Sequence, residues 1–344
     1  MDERAAELLI KGYNRGKLSK GDCQYLLSFE EFSPEAIFER DLFKRFFREQ
    51  CKNTAGIGAQ IGVYTGPCSG NCGFCNFGAS HTHSKMYEMP DDVLKRYLEK
   101  CIEFGDVGEV SLMTNHDCPN DKLVRYIGLA RDFLPKEVKI MVNTGDRTPE
   151  ECRELKKAGA ENAYHVLRMG EGKDTDLNPK DRIQTMRNLK EAGFNLATCT
   201  EPVGSEHSID DVINNFFSGM EGGCDCGYVA LRMPVFGTPL GGVPTLSIKR
   251  YHQIQAVLGL ATAWHPGGKK VTGWDTGYFT GLNTLSAEFA GSPRDSGEFS
   301  EKSVGHTLEW CRRTLFGDGY DRIRMADGSS EKLDLDYLIR TKSV

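Results

Sequence analysis

The chain has 344 residues, of which 39% are hydrophobic and 27% charged. That length and balance are typical of a globular protein with one large α/β barrel or two smaller domains. The net charge of −6 and the pI of about 5.8 disfavour a nucleic-acid-binding surface. The first residues are acidic and polar, and apolar runs are short, so we expect neither a secretory signal nor a membrane span. Twelve cysteines in such a chain indicate a reducing cytoplasm, where thiols bind metals or pack in the core.

The first part of the chain predicts an N-terminal helical extension, residues 1–52. The helical segments are predicted at 5–12, 19–28 and 34–51. Aromatic residues recur at mostly helical spacing in the third segment and are expected to pack in the core. We expect a barrel domain over 53–316 and a C-terminal tail over 317–344.

From residue 57 onwards, predicted strands and helices alternate about eight times. The strands are expected at 57–65, 109–114, 138–143, 162–167, 194–199, 228–236, 270–273 and 284–289. One intervening helix has a capping box, with Thr148 as N-cap, Pro149 at N1 and Glu151 at N3. Such alternation predicts a parallel sheet with helical crossovers. Eight units favour a closed (β/α)8 TIM-type barrel, whose chemistry lies at the carboxyl ends of the strands.

Three closely spaced cysteines follow the first predicted strand: Cys68, Cys72 and Cys75. Three thiolates in such a loop can bind one metal centre. A structural zinc site needs four protein ligands, and no fourth cysteine or histidine has finger spacing here. A site completed by His81 or His83 would be irregular. A four-iron cluster held by three cysteines would instead leave one iron open for chemistry.

The CxxxCxxC spacing, with Phe74 just before the third cysteine, resembles the signature of radical S-adenosylmethionine (SAM) enzymes. The resemblance implies that Cys68, Cys72 and Cys75 hold a [4Fe-4S] cluster and that the amino and carboxylate groups of SAM chelate its open iron. It further implies reductive cleavage of SAM to a 5′-deoxyadenosyl radical, which abstracts a substrate hydrogen. A zinc site or a disulfide is the alternative for the three thiols.

The resemblance extends over residues 10–316 to the biotin synthase-like branch of this superfamily. The branch includes biotin synthase, methylornithine synthase, a hydrogenase maturase and an archaeal type of lipoyl synthase. The segments that carry the resemblance are Leu167-Arg-Met-Gly-Glu, Glu201-Pro-Val-Gly-Ser-Glu, Leu231-Arg-Met-Pro-Val-Phe-Gly-Thr-Pro-Leu and Gly281-Leu-Asn-Thr.

The resemblance assigns cofactor-binding roles to four further residues. Phe74 would lie against adenine, and Arg168 would pair with the SAM carboxylate, for which its fork geometry is suited. Glu171 lies one residue beyond the acidic partner found in the family, and Gly204 would let the backbone approach the cofactor. For Arg168 and Glu171 the alternative is a surface ion pair.

One segment departs from the family pattern. Many members have a Gly-Gly-Glu-like sequence after the second strand, where this chain has Thr114-Asn-His-Asp. Asn115 or backbone carbonyls would accept hydrogen bonds from the SAM amino group instead. His116, at the catalytic face, is a candidate proton donor or substrate contact, and a solvated loop histidine is the alternative.

Biotin synthase also holds a second, sulfur-donating cluster with three barrel cysteines and an arginine. The corresponding positions here are Ser111, Met141 and Cys199, so a cluster of that kind is not expected. Cys199, Cys118 and Ser111 are candidate ligands of a different auxiliary Fe-S cluster, and thiols of the core or loops are the alternative. Cys224-Asp-Cys226 precedes a strand, nearer the opposite face, where it would bind metal or oxidise rather than act in catalysis.

Polar residues at the predicted strand ends would orient a polar substrate. They are Asn143, His165, Arg168, Thr200, Glu201 and Arg232. We expect a small polar or carrier-bound substrate, with flavodoxin or ferredoxin as the electron donor. The candidate catalytic residues are His116, Cys199 and Glu201.

Three functional hypotheses follow. The first is a radical SAM enzyme of cofactor biosynthesis that inserts sulfur, as biotin and lipoyl synthases do. The second is a radical rearrangement or fragmentation without sulfur transfer, similar to methylornithine synthase or the hydrogenase maturase. The third is a non-enzymatic, metal-binding barrel that acts as a scaffold.

Overall fold

A computed structural model describes residues 1–263, 283–292 and 305–342. The strands are β1 (Thr54–Thr65), β2 (Tyr87–Glu88), β3 (Val107–Thr114), β4 (Lys139–Asn143), β5 (Asn162–Tyr164), β6 (Asn195–Val203), β7 (Cys226–Leu231), β8 (Thr284–Glu288), β9 (Arg322–Arg324) and β10 (Ser330–Lys332). The helices are α1 (Glu3–Tyr13), α2 (Lys20–Leu26), α3 (Pro34–Gln50), α4 (Asp91–Ile102), α5 (Asn120–Phe133), α6 (Pro149–Ala158), α7 (Pro179–Glu191), α8 (Ile209–Glu221), α9 (Ile248–Ala261), α10 (Leu308–Gly317) and α11 (Leu335–Arg340).

Seven of these strands form one curled parallel sheet in the order β8-β1-β3-β4-β5-β6-β7. Because all seven run the same way, their carboxyl ends meet at one edge, where a barrel places its chemistry. The predicted α/β barrel architecture is thus confirmed in the form of a curled, partial barrel. The candidate strand at 270–273 and the start of the 281–284 segment lie outside the described residues, so closure by eight strands stays a prediction.

The two faces of the sheet carry different sets of buried side chains. Ile57, Ile61 and Val63 of β1 belong to the large core between sheet and helices. A small separate cluster contains Met141, Val166, Ala197, Cys199 and Tyr228. Successive strand residues point to opposite faces, so a parallel sheet covered on its outer face by helices can present a second set of side chains to its interior.

The N-terminal helices pack against α9 at the side of the sheet. Phe43, Phe46 and Phe47 of α3 are buried there, as their spacing predicts. Ile37 of the same helix is 52% exposed and lies on the solvent side. Among the helices of the described residues, none is long and apolar enough to cross a bilayer.

Local signals in the sequence place several boundaries well. At the start of α6, the Thr148 hydroxyl accepts from the Glu151 N–H at 3.2 Å, and the Glu151 carboxylate accepts from the Thr148 N–H at 2.8 Å. Two strands are shorter than predicted, because β5 ends at Tyr164 and β7 at Leu231. The chain leaves β7 three residues before Pro234, which has no N–H for the ladder.

Residues 317–342 are ordered around the start of β1. The strand β9 pairs in parallel with Thr54 and Ala55, and β10 pairs with β9 as a hairpin. A buried ion pair holds this region, since Arg312 Nε and Nη2 donate to Asp106 at 2.7 and 2.9 Å. The Tyr337 hydroxyl donates to the same carboxylate at 2.8 Å. The domain boundaries at 52/53 and 316/317 stay predictions.

Replacing Asp106 with alanine is expected to lower the free energy of unfolding by about 3–5 kcal/mol, because Arg312 would be left as an uncompensated buried charge. Urea unfolding of the full chain, followed by circular dichroism, measures this loss. Asp92→Ala is the matched control, since Asp92 pairs with Arg96 on an exposed helix surface. Equal midpoints for the two variants would contradict the buried ion pair.

Candidate functional site

The cysteine loop begins where β1 ends, at the carboxyl edge of the sheet. Its backbone is fixed internally, because the Cys68 N–H donates to the Phe77 carbonyl at 2.7 Å and the Cys75 N–H to the Cys72 carbonyl at 3.0 Å. The Gly73 N–H donates to the Asp174 carbonyl at 2.8 Å, which ties the loop to the segment after β5. These backbone hydrogen bonds give the loop a defined shape.

The three thiols line one cavity, called here the loop cavity, of about 110 Å³. Burial raises the pKa of Cys72, and it raises the pKa of Cys75 to about 12. Such thiols remain protonated at neutral pH until a metal replaces the proton. The chemistry of this donor set therefore fits soft metal ions such as iron.

Neither alternative for the three thiols fits the described residues. All twelve cysteines are free, so the disulfide is not formed. In the described ranges, no group of three or more His, Cys, Asp or Glu side chains converges on a single ion. His81 Nε2 lies 2.8 Å from the Cys75 carbonyl, so its ring fastens the loop instead. A four-iron cluster does not require convergence, because each cysteine binds a different iron.

Arg168 lies just after β5 and faces the thiols. It lines the loop cavity together with Cys72, and its Nε is 3.9 Å from Glu201 Oε1. Burial works against its charge, but the neighbouring Cys72 and Glu201 outweigh burial and raise the pKa of Arg168. The guanidinium is thus a permanent cation, able to bind a carboxylate through parallel N–H groups.

Asn115 presents an unused acceptor to the loop cavity. Its N–H donates to the Tyr64 carbonyl at 2.8 Å, and its Nδ2 donates to the Pro67 carbonyl at 3.2 Å. These bonds fix the amide, while Oδ1 is buried and has no hydrogen-bond partner in the described structure. Leaving a buried acceptor unsatisfied costs about 1–3 kcal/mol, so the site is suited to a ligand that donates an N–H there.

His116 lines the same cavity. Its Nδ1 is buried, and no described group bonds to it. Burial lowers the pKa of His116, which makes the neutral ring the resting form. The structure places His116 at the face where it was predicted to lie.

A second, larger cavity of about 250 Å³ lies inside the sheet and is called here the barrel cavity. It shares Cys72, Cys75, Met113, Asn143 and Arg168 with the loop cavity, so the two adjoin. Other predicted residues that line it are Phe74, Ser111, Met141, Cys199, Glu201 and Arg232. The structure thus brings the thiol loop and the strand ends to one connected space.

Two of the predicted cofactor-binding residues lie outside both linings. The Glu171 carboxylate accepts from the Arg168 N–H at 3.0 Å and from the Thr175 hydroxyl at 2.6 Å, so it shapes the loop that presents Arg168. A Cβ at Gly204 would overlap the side chains of Glu206 and Arg232. The lack of a side chain there serves the Glu206–Arg232 contact rather than an approach to either cavity.

Of the three candidate ligands of an auxiliary cluster, Cys199 and Ser111 line the barrel cavity, whereas Cys118 does not. Cys199 belongs to the small cluster around Met141 and Tyr228, and its burial raises its pKa well above the ordinary value. Cys118 is buried in the core between the sheet and the helices. Cys224 is buried in that same outer core. Of these cysteines, Cys199 alone lines the barrel cavity.

Arg182 is a cavity residue that the sequence did not indicate. It lies in the first turn of α7 and lines the loop cavity. Its Nη1 donates to Asp146 at 3.0 Å and its Nε to the Val166 carbonyl at 3.1 Å. His165 Nε2 lies 3.3 Å from the same carboxylate, and burial lowers the pKa of His165 to about 3. His165 is therefore neutral and fully buried, and it lines neither cavity, so the structure does not place it to orient a substrate.

Comparisons with known proteins agree with this geometry. Residues 63–216 match the model of the Radical SAM superfamily. Biotin synthase from a Picosynechococcus species is 26% identical over 58% of this chain, a match that spans 58% of that enzyme's length. Biotin synthase from Desulforudis audaxviator is 24% identical over 71% of this chain and 80% of its own.

Two solved structures share the fold. Methylornithine synthase superposes with a TM-score of 0.75 at 17% identity, covering 91% of this chain and 96% of its own. HydG, a maturase of the [FeFe]-hydrogenase, gives a TM-score of 0.75 at 17% identity over 93% of this chain and 76% of its own. The matched family model places a radical SAM domain at residues 63–216, and the biotin synthase relatives support a likeness to the biotin synthase-like branch, while the two solved structures show that the fold is shared.

Proposed function

We propose that this radical SAM enzyme removes a hydrogen atom from a small polar substrate in the barrel cavity and does so without donating sulfur. Enzymes of the superfamily use a [4Fe-4S] cluster and SAM, and they need a substrate and a reductant. The observation that carries the proposal is the adjoining pair of cavities, with three free thiols at one and a buried, largely apolar interior at the other.

The loop cavity has side chains suited to the cluster, to the SAM carboxylate and to the SAM amino group. Cys68, Cys72 and Cys75 would hold the cluster, Arg168 would bind the SAM carboxylate, and the unused Asn115 Oδ1 would accept from the SAM amino group. When bound, the cluster and SAM supply a 5′-deoxyadenosyl radical, using one electron from a donor such as flavodoxin or ferredoxin.

The chain's own residues would position the substrate and exclude water. Met113, Met141 and Tyr164 give the barrel cavity an apolar wall, while Ser111 and Asn143 offer hydrogen bonds. A water-poor site prevents side reactions of a reactive species, and a fixed substrate pose selects one carbon for attack. Phe74 lines the boundary with the thiol loop, where an adenine ring would stack.

Sulfur insertion is the second candidate, and it is favoured by Cys199 in the barrel cavity. The positions of the three auxiliary-cluster cysteines of biotin synthase hold Ser111, Met141 and Cys199, and Cys118 lies in the outer core. Apart from the loop thiols Cys72 and Cys75, the described lining of the barrel cavity therefore offers one thiol, Cys199, where that kind of cluster uses three. This shortage favours rearrangement or fragmentation over sulfur transfer.

Anaerobic reconstitution tests the proposal. About four irons per chain are expected for one cluster, whereas about six to eight would indicate a second. Incubation with SAM and dithionite should yield methionine and 5′-deoxyadenosine. Zinc in place of iron, with no 5′-deoxyadenosine formed, would favour the non-enzymatic barrel.

Asn115→Leu removes the proposed acceptor for the SAM amino group while keeping a similar side-chain size. The Kd for SAM is expected to rise by about 10-fold, because one hydrogen bond to a charged group contributes about 1.5–3 kcal/mol. Equilibrium dialysis of labelled SAM with the reconstituted protein measures the change, and Asn195→Leu, at the start of β6 and away from both cavities, is the control. Unchanged SAM affinity in Asn115→Leu would remove this residue from the site.

A further inference from the structure

We propose that the substrate of the barrel cavity carries an ammonium group, which Glu201 binds. The inference rests on the proposed function, since it treats this cavity as the substrate site. It is carried by the charged side chains that line the described wall and by the partners they already have.

Four charged side chains line the described part of the barrel cavity: Arg168, Glu201, Arg232 and Glu288. Glu288 is only 7% exposed and has interactions of its own, so the inference makes no use of it. The other three, Arg168, Glu201 and Arg232, are the charged side chains that could contact a charged substrate.

Arg232 is already paired within the protein. Its Nε and Nη2 donate to the Glu206 carboxylate at 2.7 and 3.0 Å. Nη1 donates to the Leu240 carbonyl at 3.0 Å, and Nη2 also lies 3.0 and 2.7 Å from the carbonyls of Val243 and Pro244. The residue is 1% exposed. Its charge is thus neutralised by Glu206, and a substrate carboxylate would have to compete with that buried ion pair.

Arg168 stands at the boundary of the two cavities, and the proposed function assigns it to the SAM carboxylate. The described wall then offers an anionic substrate group no arginine or lysine that is not already paired with a protein carboxylate or assigned to SAM. It does offer the Glu201 carboxylate, whose side chain is 24% exposed and whose nearest cation is Arg168 at 3.9 Å. A half-buried carboxylate at that distance is poorly neutralised once Arg168 serves another anion.

Other polar side chains of the same cavity could also accept from an ammonium. An ammonium has three N–H donors and no acceptor, so it needs several oxygens. Tyr164, Asn143 and Ser111 place a phenol, an amide and a hydroxyl along the same cavity. The ring of Tyr164 adds a face that attracts cations. A carboxylate ligand would instead meet the like charge of Glu201.

The test uses the reconstituted full-length protein with SAM bound. Short α,ω-diamines of increasing chain length are compared with the dicarboxylates of equal length, by equilibrium dialysis of the labelled compounds. We expect at least one diamine to bind about 10-fold or more tightly than its matched dicarboxylate. We also expect Glu201→Gln to weaken that binding by about 10-fold, whereas Glu150→Gln, on an exposed helix surface, leaves it unchanged.

The inference is overturned if no diamine binds more tightly than its matched dicarboxylate. It is also overturned if Glu201→Gln leaves diamine binding within about twofold of the wild type. An equal loss of SAM and diamine affinity in Glu201→Gln would assign the carboxylate to SAM instead. Formation of 5′-deoxyadenosine without added substrate is measured in parallel. If it is present while diamine binding fails, the inference alone is wrong; if it is absent, the proposed function fails first.

Discussion

Replacing Cys72 with alanine is expected to abolish both iron binding and SAM cleavage. Cys72 is one of two thiols that line both cavities, and it lies beside Arg168. Two remaining thiolates cannot retain a four-iron cluster against exchange and oxidation, because each cysteine holds a separate iron. We expect iron to fall from about four to below about one per chain, and 5′-deoxyadenosine formation to fall by at least about 10³-fold.

The control for this variant is another buried cysteine of the same chain. Cys118→Ala removes a thiol from the outer core and should keep the full iron content. Circular dichroism of both variants separates loss of the cluster from loss of the fold, since the loop is held by its own backbone bonds. Full iron content in Cys72→Ala, or loss of iron in Cys118→Ala, would contradict the proposed ligand set.

Arg168→Gln is expected to weaken SAM binding by about 10²-fold while leaving the iron content unchanged. Removing one partner of a desolvated charge pair costs about 2–5 kcal/mol, and about 2.8 kcal/mol corresponds to a factor of 10². Arg168→Lys keeps the charge but loses the parallel N–H groups, so it should restore only part of the affinity. Equilibrium dialysis of labelled SAM measures both variants.

Arg153→Gln is the matched control, because this arginine pairs with Glu150 on an exposed face of α6. A second readout separates binding from catalysis: saturating SAM should restore much of the 5′-deoxyadenosine formed by Arg168→Gln. If SAM affinity is unchanged and the rate alone falls, Arg168 acts on the substrate or on the cluster rather than on the SAM carboxylate.

Sequence patterns were sufficient where the signal is local. The Thr148–Glu151 capping box predicted the start of α6, and the alternation of strands and helices predicted the parallel sheet, because both signals arise from neighbouring residues. The short strands β9 and β10 were missed, since three residues carry no readable period. Their order comes from the pairing of β9 with β1, far away in the chain, and of β10 with β9.

The same distinction applies to the candidate site. The cysteine spacing lies within one loop and could be read directly, whereas the roles of Arg182 and Arg232 could not. Arg182 looks like a solvent-facing residue of an amphipathic helix, yet it reaches the loop cavity through its bond to Asp146. The sequence suggests that Arg232 is a free cation at a strand end, yet its guanidinium donates to Glu206 and to three backbone carbonyls. The roles of both arginines depend on partners that are far away in the sequence, and no periodicity of the sequence indicates such partners.

The account depends most on one iron that has no protein ligand and is bound by SAM. Electron paramagnetic resonance of the reduced, reconstituted protein, combined with double resonance on SAM labelled in its amino nitrogen and carboxylate, tests this directly. We expect a [4Fe-4S]⁺ signal that shifts on SAM addition and couples to both labels, with the nitrogen coupling altered in Asn115→Leu. A signal that is insensitive to SAM, or a protein that retains zinc in place of iron, would contradict it.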